Sequence, residues 1–135
     1  MQFQRVDPPA LLDGLDAATA FFASCFEGVG NARERLVVAH VDAQARCIGL
    51  TELDGNADRV DLPLRQILGD AIELGSAGLV LAHNHPSGDT RPSRADCAVT
   101  RRLATAGEAM DLAILDHMIF GHDGECSSMR RLGLL

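Results

Sequence analysis

Apolar residues recur at two different spacings along the first half of the chain. From residue 9 to residue 27 they return every three or four positions, which predicts an amphipathic helix over that segment. The segments 35–42 (RLVVAHVD) and 46–53 (RCIGLTEL) are instead short, largely apolar runs on either side of a tight turn. Runs of this length and content are typical of strands, so we expect a strand pair here.

The second half of the chain continues this alternation. A helix is predicted over residues 62–75, with Asp61 as its N-cap and Pro63 in its first turn. The next strand, residues 79–83 (LVLAH), is almost entirely apolar, which predicts a central position in a sheet covered on both faces. The order of elements predicts one α/β or α+β domain whose sheet is flanked by helices. The remaining elements are a helix from Ser93 to about Ala106 ended by Gly107, a strand over 112–121 and a closing strand over 126–129.

Length and composition narrow the class of protein. At 135 residues, 47% apolar and 23% charged, the chain has the make-up of an ordinary globular domain. A net charge of −7 argues against a dedicated duplex-DNA-binding protein, which would present a basic face. No apolar run reaches the roughly 20 residues of a membrane span, and the N-terminal segment lacks the order of a secretory signal. We therefore expect a cytoplasmic protein whose four scattered cysteines, without a C-x-x-C pair, are reduced thiols.

The residues with the clearest chemical content follow the central strand. His83 and His85 are spaced H-x-H at the end of an extended segment, so their side chains project to the same side and can reach one ion. Asp96 falls in the first turn of the next helix, where the helix dipole favours a carboxylate. Three protein ligands that leave a fourth position open are the pattern of catalytic zinc.

A second interpretation of the same stretch needs no metal. H-x-H alone is a weak signal, and Ser93-x-x-Asp96 also has the spacing of a helix capping box. The loop between the histidines and the helix contains Pro86, Gly88 and Pro92, which predicts a stiff concavity at the carboxyl end of the strand, where ligands usually bind. A catalytic metal there would still require a general base and a donor to the oxyanion. Ser93 can supply the donor; spacing alone does not supply the base.

The pattern His83-x-His85-x7-Ser93-x2-Asp96 resembles the signature of the JAMM (MPN+) metalloproteases. The longer string LAHNHPSGD, followed by PSRAD and later by LDHMIFG, resembles the JAB domain of RadC-type bacterial proteins. The resemblance extends from about Glu34 to the end of the chain. It implies a cytidine-deaminase-like α/β fold, in which a mixed central sheet is flanked by helices. We accordingly divide the chain into an N-terminal helical segment, residues 1–30, that is part of the same unit, and a JAB domain over 31–135.

The resemblance also implies a site and a reaction. Zinc would be held by His83, His85 and Asp96, Glu34 would be the general base, and Ser93 would donate to the oxyanion. Glu27 is a weaker rival for the base, and a solvated charge at the start of a strand is the alternative role of Glu34. The expected activity is metallopeptidase or isopeptidase hydrolysis of a peptide or protein conjugate.

Several other residues carry less specific expectations. Asp116, in the dipeptide Asp116-His117, is expected either to support a ligand, as acceptor for the ring N–H of a ligand histidine, or to support the fold. His40 is expected to be structural and His122 to lie in a turn. The alternatives to an enzyme are a nucleic-acid-linked protein associated with DNA repair and a non-catalytic interaction domain with a structural metal. A homo-oligomer is possible. Four arginines fit either a solvated helix face or a patch that steers an acidic substrate; they are Arg91, Arg94, Arg101 and Arg102.

Overall fold

A six-stranded sheet is the centre of the part of the chain that the structure, a computed structural model, describes: residues 3–27, 33–54 and 62–135. The strands are β1 (Phe3–Leu11), β2 (Arg35–Val41), β3 (Arg46–Asp54), β4 (Gly78–Asn84), β5 (Ala113–Phe120) and β6 (Cys126–Ser128). The helices are α1 (Leu15–Cys25), α2 (Leu64–Leu74) and α3 (Arg94–Glu108). Within those ranges, no helix is both long enough and apolar enough to cross a membrane.

The sheet is mixed, as predicted. Its strand order is β1-β3-β2-β4-β5-β6, with β4 and β5 parallel and the other neighbouring strands antiparallel. Strand β4 lies between β2 and β5 and is buried along its whole length, which confirms the central, doubly covered strand predicted from the apolar run LVLAH. Because β4 has neighbours on both sides, the residues at its carboxyl end are fixed by two hydrogen-bonded ladders.

The two faces of the sheet carry separate cores. One face packs against α1 and includes Phe22 of the helix and Val80 of β4. The other face packs against α2 and α3 and includes Ile67, Leu103 and Leu81. Since side chains alternate along a strand, residues of β4 with the parity of Leu81 face α2 and α3. His83 has that parity, so it projects beneath the start of α3.

The predicted helix over residues 9–27 is wrong in its first part. Residues Phe3–Leu11 form β1, which pairs antiparallel with β3, and the helix begins only at Leu15. The N-terminal segment is therefore a strand followed by a helix, with Leu11, counted in the helical pattern, lying 54% exposed on the strand. Strand β1 tolerates Pro8 and Pro9 because it is at the edge of the sheet, where one side needs no backbone donors.

Two helix boundaries also differ from the predictions. Helix α2 begins at Leu64 with Pro63 as its N-cap, and the predicted N-cap Asp61 lies outside the described residues. Helix α3 continues through Gly107 instead of ending there. A Cβ atom at Gly107 would lie 2.7 Å from the carbonyl oxygen of Leu112, so this glycine permits close packing of the helix against the chain that returns to β5.

Candidate metal centre

Four predicted site residues come from three separate segments of the chain. His83 is in β4 and His85 follows its end, Asp96 is in the first turn of α3, and Glu34 immediately precedes β2. The antiparallel pairing of β2 with β4 places Leu36 opposite His83. That register carries Glu34, two residues earlier, to the end of β4, and the structure therefore brings all four residues together.

Their polar atoms converge on one point. The Nε2 atoms of His83 and His85 are 2.9 Å apart. Asp96 places Oδ2 at 3.2 Å from Nε2 of His85 and Oδ1 at 3.4 Å from Nε2 of His83. Oε1 of Glu34 is 4.0 Å from Nε2 of His83. One ligand atom from each of Glu34, His83 and His85 lies within 4.8 Å of the others, a spacing that allows them to hold a metal ion.

The contacts of His85 show which of its ring nitrogens carries the proton. Its Nδ1 lies 2.7 Å from the carbonyl oxygen of Asp89. A carbonyl oxygen only accepts, so the ring proton of neutral His85 is on Nδ1 and the lone pair is on Nε2. That lone pair faces the second imidazole nitrogen and the Asp96 carboxylate. These nitrogen and oxygen atoms are all hydrogen-bond acceptors and have too few protons between them. A cation could bind to their lone pairs in place of the missing protons.

Glu34 lies at the edge of this cluster in a poorly solvated position. It is only 6% exposed, and its Oε2 has no hydrogen-bond partner among the described residues. Burial raises the pKa of the Glu34 carboxyl above its usual range, although the two imidazoles act in the opposite direction. A carboxylate that resists staying ionised is suited to accept a proton and to release it again.

Asn84, between the two histidines, holds the backbone around Glu34. Its side chain points away from His83, because neighbours on a strand face opposite sides. Its Oδ1 accepts from the backbone N–H of Arg35 at 2.7 Å, and its Nδ2 donates to the carbonyl oxygen of Arg33 at 2.8 Å. The amide therefore fixes the residues on both sides of Glu34, a role that sequence reasoning missed.

Ser93 and Asp96 form the capping box that was the alternative interpretation. Ser93 Oγ accepts from the Asp96 N–H at 3.0 Å, and Asp96 Oδ2 accepts from the Ser93 N–H at 2.8 Å. The same carboxylate also faces both histidines, so the two interpretations describe one residue. Ser93 is exposed, and its hydroxyl hydrogen has no acceptor among the described residues. It remains a donor beside the cluster.

The electrostatics of the cluster follow from these contacts. Burial acts to raise the pKa of Asp96, but the imidazoles of His83 and His85 outweigh it and hold that pKa well below its usual range. The Asp96 carboxylate in turn raises the pKa of His85. Asp96 is therefore ionised at neutral pH and supplies a fixed negative charge to the cluster.

Of the roles expected for Asp116, the structure shows the one in the fold, and its carboxylate contacts no candidate ligand histidine among the described residues. Its Oδ2 accepts from the hydroxyl of Ser128 at 2.5 Å, and its Oδ1 accepts from the backbone N–H of His117 and of Arg130. The side chain that contacts a candidate ligand is instead His117, whose Nε2 lies 2.7 Å from Nδ1 of His83. Burial lowers the pKa of His117 to about 3, so the ring is neutral.

The remaining polar candidates lie outside the cluster. Nε2 of His122, in the predicted turn, lies 3.0 Å from the carbonyl oxygen of Pro86 and fastens the loop after β4. Glu27, the rival base, lines a cleft with Phe26 on the α1 side of the sheet, the face opposite His83. Arg91 pairs with Asp89 at 2.7 Å and is exposed, and both roles given for the arginine group stay predictions.

Comparison with known proteins identifies the family of this chain. A family model described as the RadC-like JAB domain matches residues 13–134. The chain belongs to the RadC-like JAB domain family. Two relatives, UPF0758 proteins from two strains of Acidithiobacillus ferrooxidans, are each 43% identical over 102 residues, which cover 75% of this chain and 45% of the relative. The chain thus spans about half the length of the curated relatives it matches.

The fold of the chain agrees with its membership in the RadC-like JAB domain family. The mixed sheet with helices on both faces is the α/β arrangement expected of a JAB domain. The matched region begins at residue 13, so it includes α1 as well as the segment from Glu34 onward. A buried cluster able to hold a metal ion lies within it.

Proposed function

We propose that this JAB domain is a zinc-dependent hydrolase that cleaves peptide or isopeptide bonds, with Glu34 as its general base. The observation that carries the proposal is the convergence of two imidazole Nε2 atoms and one ionised carboxylate beside a buried, partly unpaired second carboxylate. Structural histidines satisfy their nitrogens with donors and acceptors in balance. This cluster instead has an excess of acceptors, which a cation would relieve.

The residues fit zinc in number and type. His83, His85 and Asp96 would hold the ion through two nitrogen atoms and one oxygen atom, a donor set common at catalytic zinc. Three protein ligands leave one position for a reactant. The capping hydrogen bond from Ser93 to Asp96 at 2.8 Å fixes the carboxylate before any metal binds, which reduces the ordering that binding requires.

The division of labour in the reaction follows from the positions of the side chains. When bound, zinc lowers the pKa of water to about 7 and polarises a carbonyl group. Glu34, whose carboxylate reaches to 4.0 Å from Nε2 of His83, accepts the proton of the attacking water and later delivers it to the leaving amine. Ser93, whose hydroxyl hydrogen has no acceptor in the described part of the chain, donates to the oxyanion that develops on the substrate. Asn84 keeps Glu34 in place through the two adjacent peptide groups.

The substrate class rests on family resemblance and on the reaction that these residues support. A base that both accepts and returns a proton serves a poor leaving group such as an amine, which must be protonated before it departs. The matched region covers 45% of the length of these curated relatives. Hydrolysis by a longer protein that contains this domain is therefore also a proposal.

A Glu34→Gln variant tests the proposal. The amide keeps the size of the side chain but cannot accept a proton, so we expect cleavage of a fluorogenic peptide library to fall by roughly 10²- to 10⁴-fold. Zinc measured by elemental analysis should stay near one ion per chain in the variant. Glu27→Gln, on the opposite face of the sheet, is the matched control and should cleave like the wild type.

Two outcomes would contradict the proposal. Full activity of Glu34→Gln would exclude Glu34 as the base. A wild-type protein that, purified without chelator, carries no zinc and gains none on titration would exclude the metal site.

A further inference from the structure

A line of two side chains connects the backbone of one candidate ligand to the ring of another. It runs from the carbonyl oxygen of Asp96 through Thr100 and His117 to Nδ1 of His83, with separations of 2.6, 2.6 and 2.7 Å. Thr100 and His117 are 0% and 1% exposed. We propose that Thr100 and His117 are positioning residues that fix the tautomer and orientation of His83 so that its Nε2 lone pair faces the metal. This inference rests on the proposed metal site.

The direction of the line is set at its Asp96 end. Thr100 Oγ1 lies 2.6 Å from the Asp96 carbonyl oxygen. A carbonyl oxygen has no hydrogen to give, so the single hydroxyl hydrogen of Thr100 is donated there. Toward His117, Thr100 can then act only as an acceptor.

That requirement determines the tautomer of His117. Its Nδ1, 2.6 Å from Thr100 Oγ1, must carry the ring proton. Among the described residues, the hydrogen-bond partners of the ring are a hydroxyl and another imidazole, and neither is a carboxylate. A buried charge without a counter-charge is costly, so the ring is neutral and its Nε2 is an acceptor.

The same reasoning passes to His83. Because His117 Nε2 accepts, His83 Nδ1 donates across the 2.7 Å contact, and the lone pair of His83 is left on Nε2. His83 thereby takes the tautomer that the Asp89 carbonyl gives to His85. Both candidate ligands therefore carry the ring proton on Nδ1. In His85 a backbone carbonyl sets this tautomer, and a side-chain mutation leaves that group in place. In His83 the side chains of His117 and Thr100 set it, and mutation can remove them.

A neutral acceptor behind His83 also suits the charge of the site. With Glu34 ionised, the Asp96 and Glu34 carboxylates would balance the charge of one divalent cation. A carboxylate in place of His117 would add a third negative charge. The line further ties α3, which carries Asp96, to β4, which carries His83, through His117 of β5, so a shift of either ligand would disturb a buried hydrogen bond.

Two pairs of variants and one spectroscopic measurement test this inference. Thr100→Val and His117→Leu remove the hydrogen-bonding groups, whereas Thr100→Ser keeps the hydroxyl and His117→Gln keeps an acceptor toward His83. Removing the orienting partner of a metal ligand weakens binding by roughly 10- to 100-fold. We therefore expect zinc affinity, measured by competition with a chromophoric chelator, to fall by that factor in the first pair and to remain near the wild-type value in the second.

The spectroscopic measurement uses the metal-free wild type. Long-range ¹H–¹⁵N correlation spectra of the histidine rings should place the proton of His117 on Nδ1 and that of His83 on Nδ1. A proton on Nε2 of His117 would overturn the inference, as would wild-type zinc affinity in a folded Thr100→Val protein. If Thr100→Val and His117→Leu do not fold, the spectrum of the wild type decides.

These outcomes are separate from those of the proposed function. A wild type that binds no zinc refutes the metal site. The tautomers seen in the spectrum still test whether Thr100 and His117 set the ring proton of His83. If the wild type binds zinc and the Thr100→Val and His117→Leu variants bind it equally well, the positioning role is refuted and the metal site is not.

Discussion

Two buried histidine networks lie on the same face of the sheet at opposite ends. His40 of β2 pairs in register with Leu79, at the start of β4, whereas His83 lies near the end of that strand. Both rings are 0% exposed. Both networks also include a threonine, Thr51 beside His40 and Thr100 behind His83 through His117. Each network therefore contains a fully buried histidine and a threonine, and the difference between the networks lies in how their protons are shared.

The His40 network is complete in itself. Thr51 donates to the Asp70 carboxylate at 2.7 Å, so it accepts from His40 Nε2 at 2.8 Å. His40 Nδ1 then accepts from the Ser76 hydroxyl at 3.0 Å. Each donor meets one acceptor. This arrangement has the form of a structural network, the role expected for His40.

The His83 network uses the same device but ends differently. Its threonine sets the tautomer of a neighbouring ring, as Thr51 does, yet the far nitrogen of His83 meets another lone pair on His85 and the carboxylate of Asp96. Where the His40 network ends in a hydroxyl that can donate, this network ends in acceptors alone. The comparison teaches that a candidate metal ligand is distinguished by an unbalanced count of donors and acceptors.

The largest expected effect that separates the networks is on zinc binding. Structural zinc sites bind with about 10–16 kcal/mol shared among four ligands, so removing one ligand should weaken binding by roughly 10²- to 10³-fold. We expect that loss in His85→Ala and wild-type affinity in His40→Gln, both measured by chelator competition. Equal loss in both variants would remove the distinction between the networks.

The sequence could predict the parts of the site that are close together in the chain. Alternation along β4 puts His83 and His85 on one side, and the spacing from Ser93 to Asp96 is that of a cap. These are local regularities, independent of the rest of the fold. The role of Glu34, in contrast, was available only from resemblance, because its position depends on the register between β2 and β4.

The missed residues act over long separations. Asn84 reaches Arg33, 51 positions away, and His117 reaches His83, 34 positions away. No periodicity joins such pairs. The sequence left the role of Asp116 undecided for a related reason, because adjacent strand residues face opposite sides. Which side faces the site depends on how β5 pairs with β4, and that register shifts between Leu79 and Val80. A single shift of this kind exchanges the two faces.

The second effect is a dependence of stability on pH that belongs to the His40 network. Burial, only partly offset by Asp70, lowers the pKa of His40 from 6.5 to about 4 in the folded protein. Below pH 6.5 the unfolded chain takes up a proton that the folded chain refuses, so stability present above pH 6.5 is lost as pH falls toward 4. The loss from this group at pH 4.5 is about 2.5 kcal/mol.

Urea denaturation at pH 7 and pH 4.5 measures that loss. His40→Gln lacks the titrating group, so its stability should change less between the two pH values than that of the wild type. Every other titrating group is common to both proteins. Parallel pH dependence in the two proteins would show that His40 does not stay neutral in the folded state.

The smallest effect uses the threonine that each network contains. Thr51→Val leaves the Asp70 carboxylate and the His40 Nε2–H without their buried partner, which costs about 2 kcal/mol. Thr51→Ser keeps the hydroxyl and should be close to the wild type in its urea midpoint. Zinc affinity should be unchanged in both, because the contacts of His40, Thr51, Ser76 and Asp70 that the structure describes do not include the histidines or carboxylates of the metal site. Thr100→Val is expected to do the reverse and weaken zinc binding. If Thr51→Val weakened zinc binding as much as Thr100→Val, the two networks would be coupled through the sheet, and the balance of donors and acceptors would no longer be enough to tell them apart.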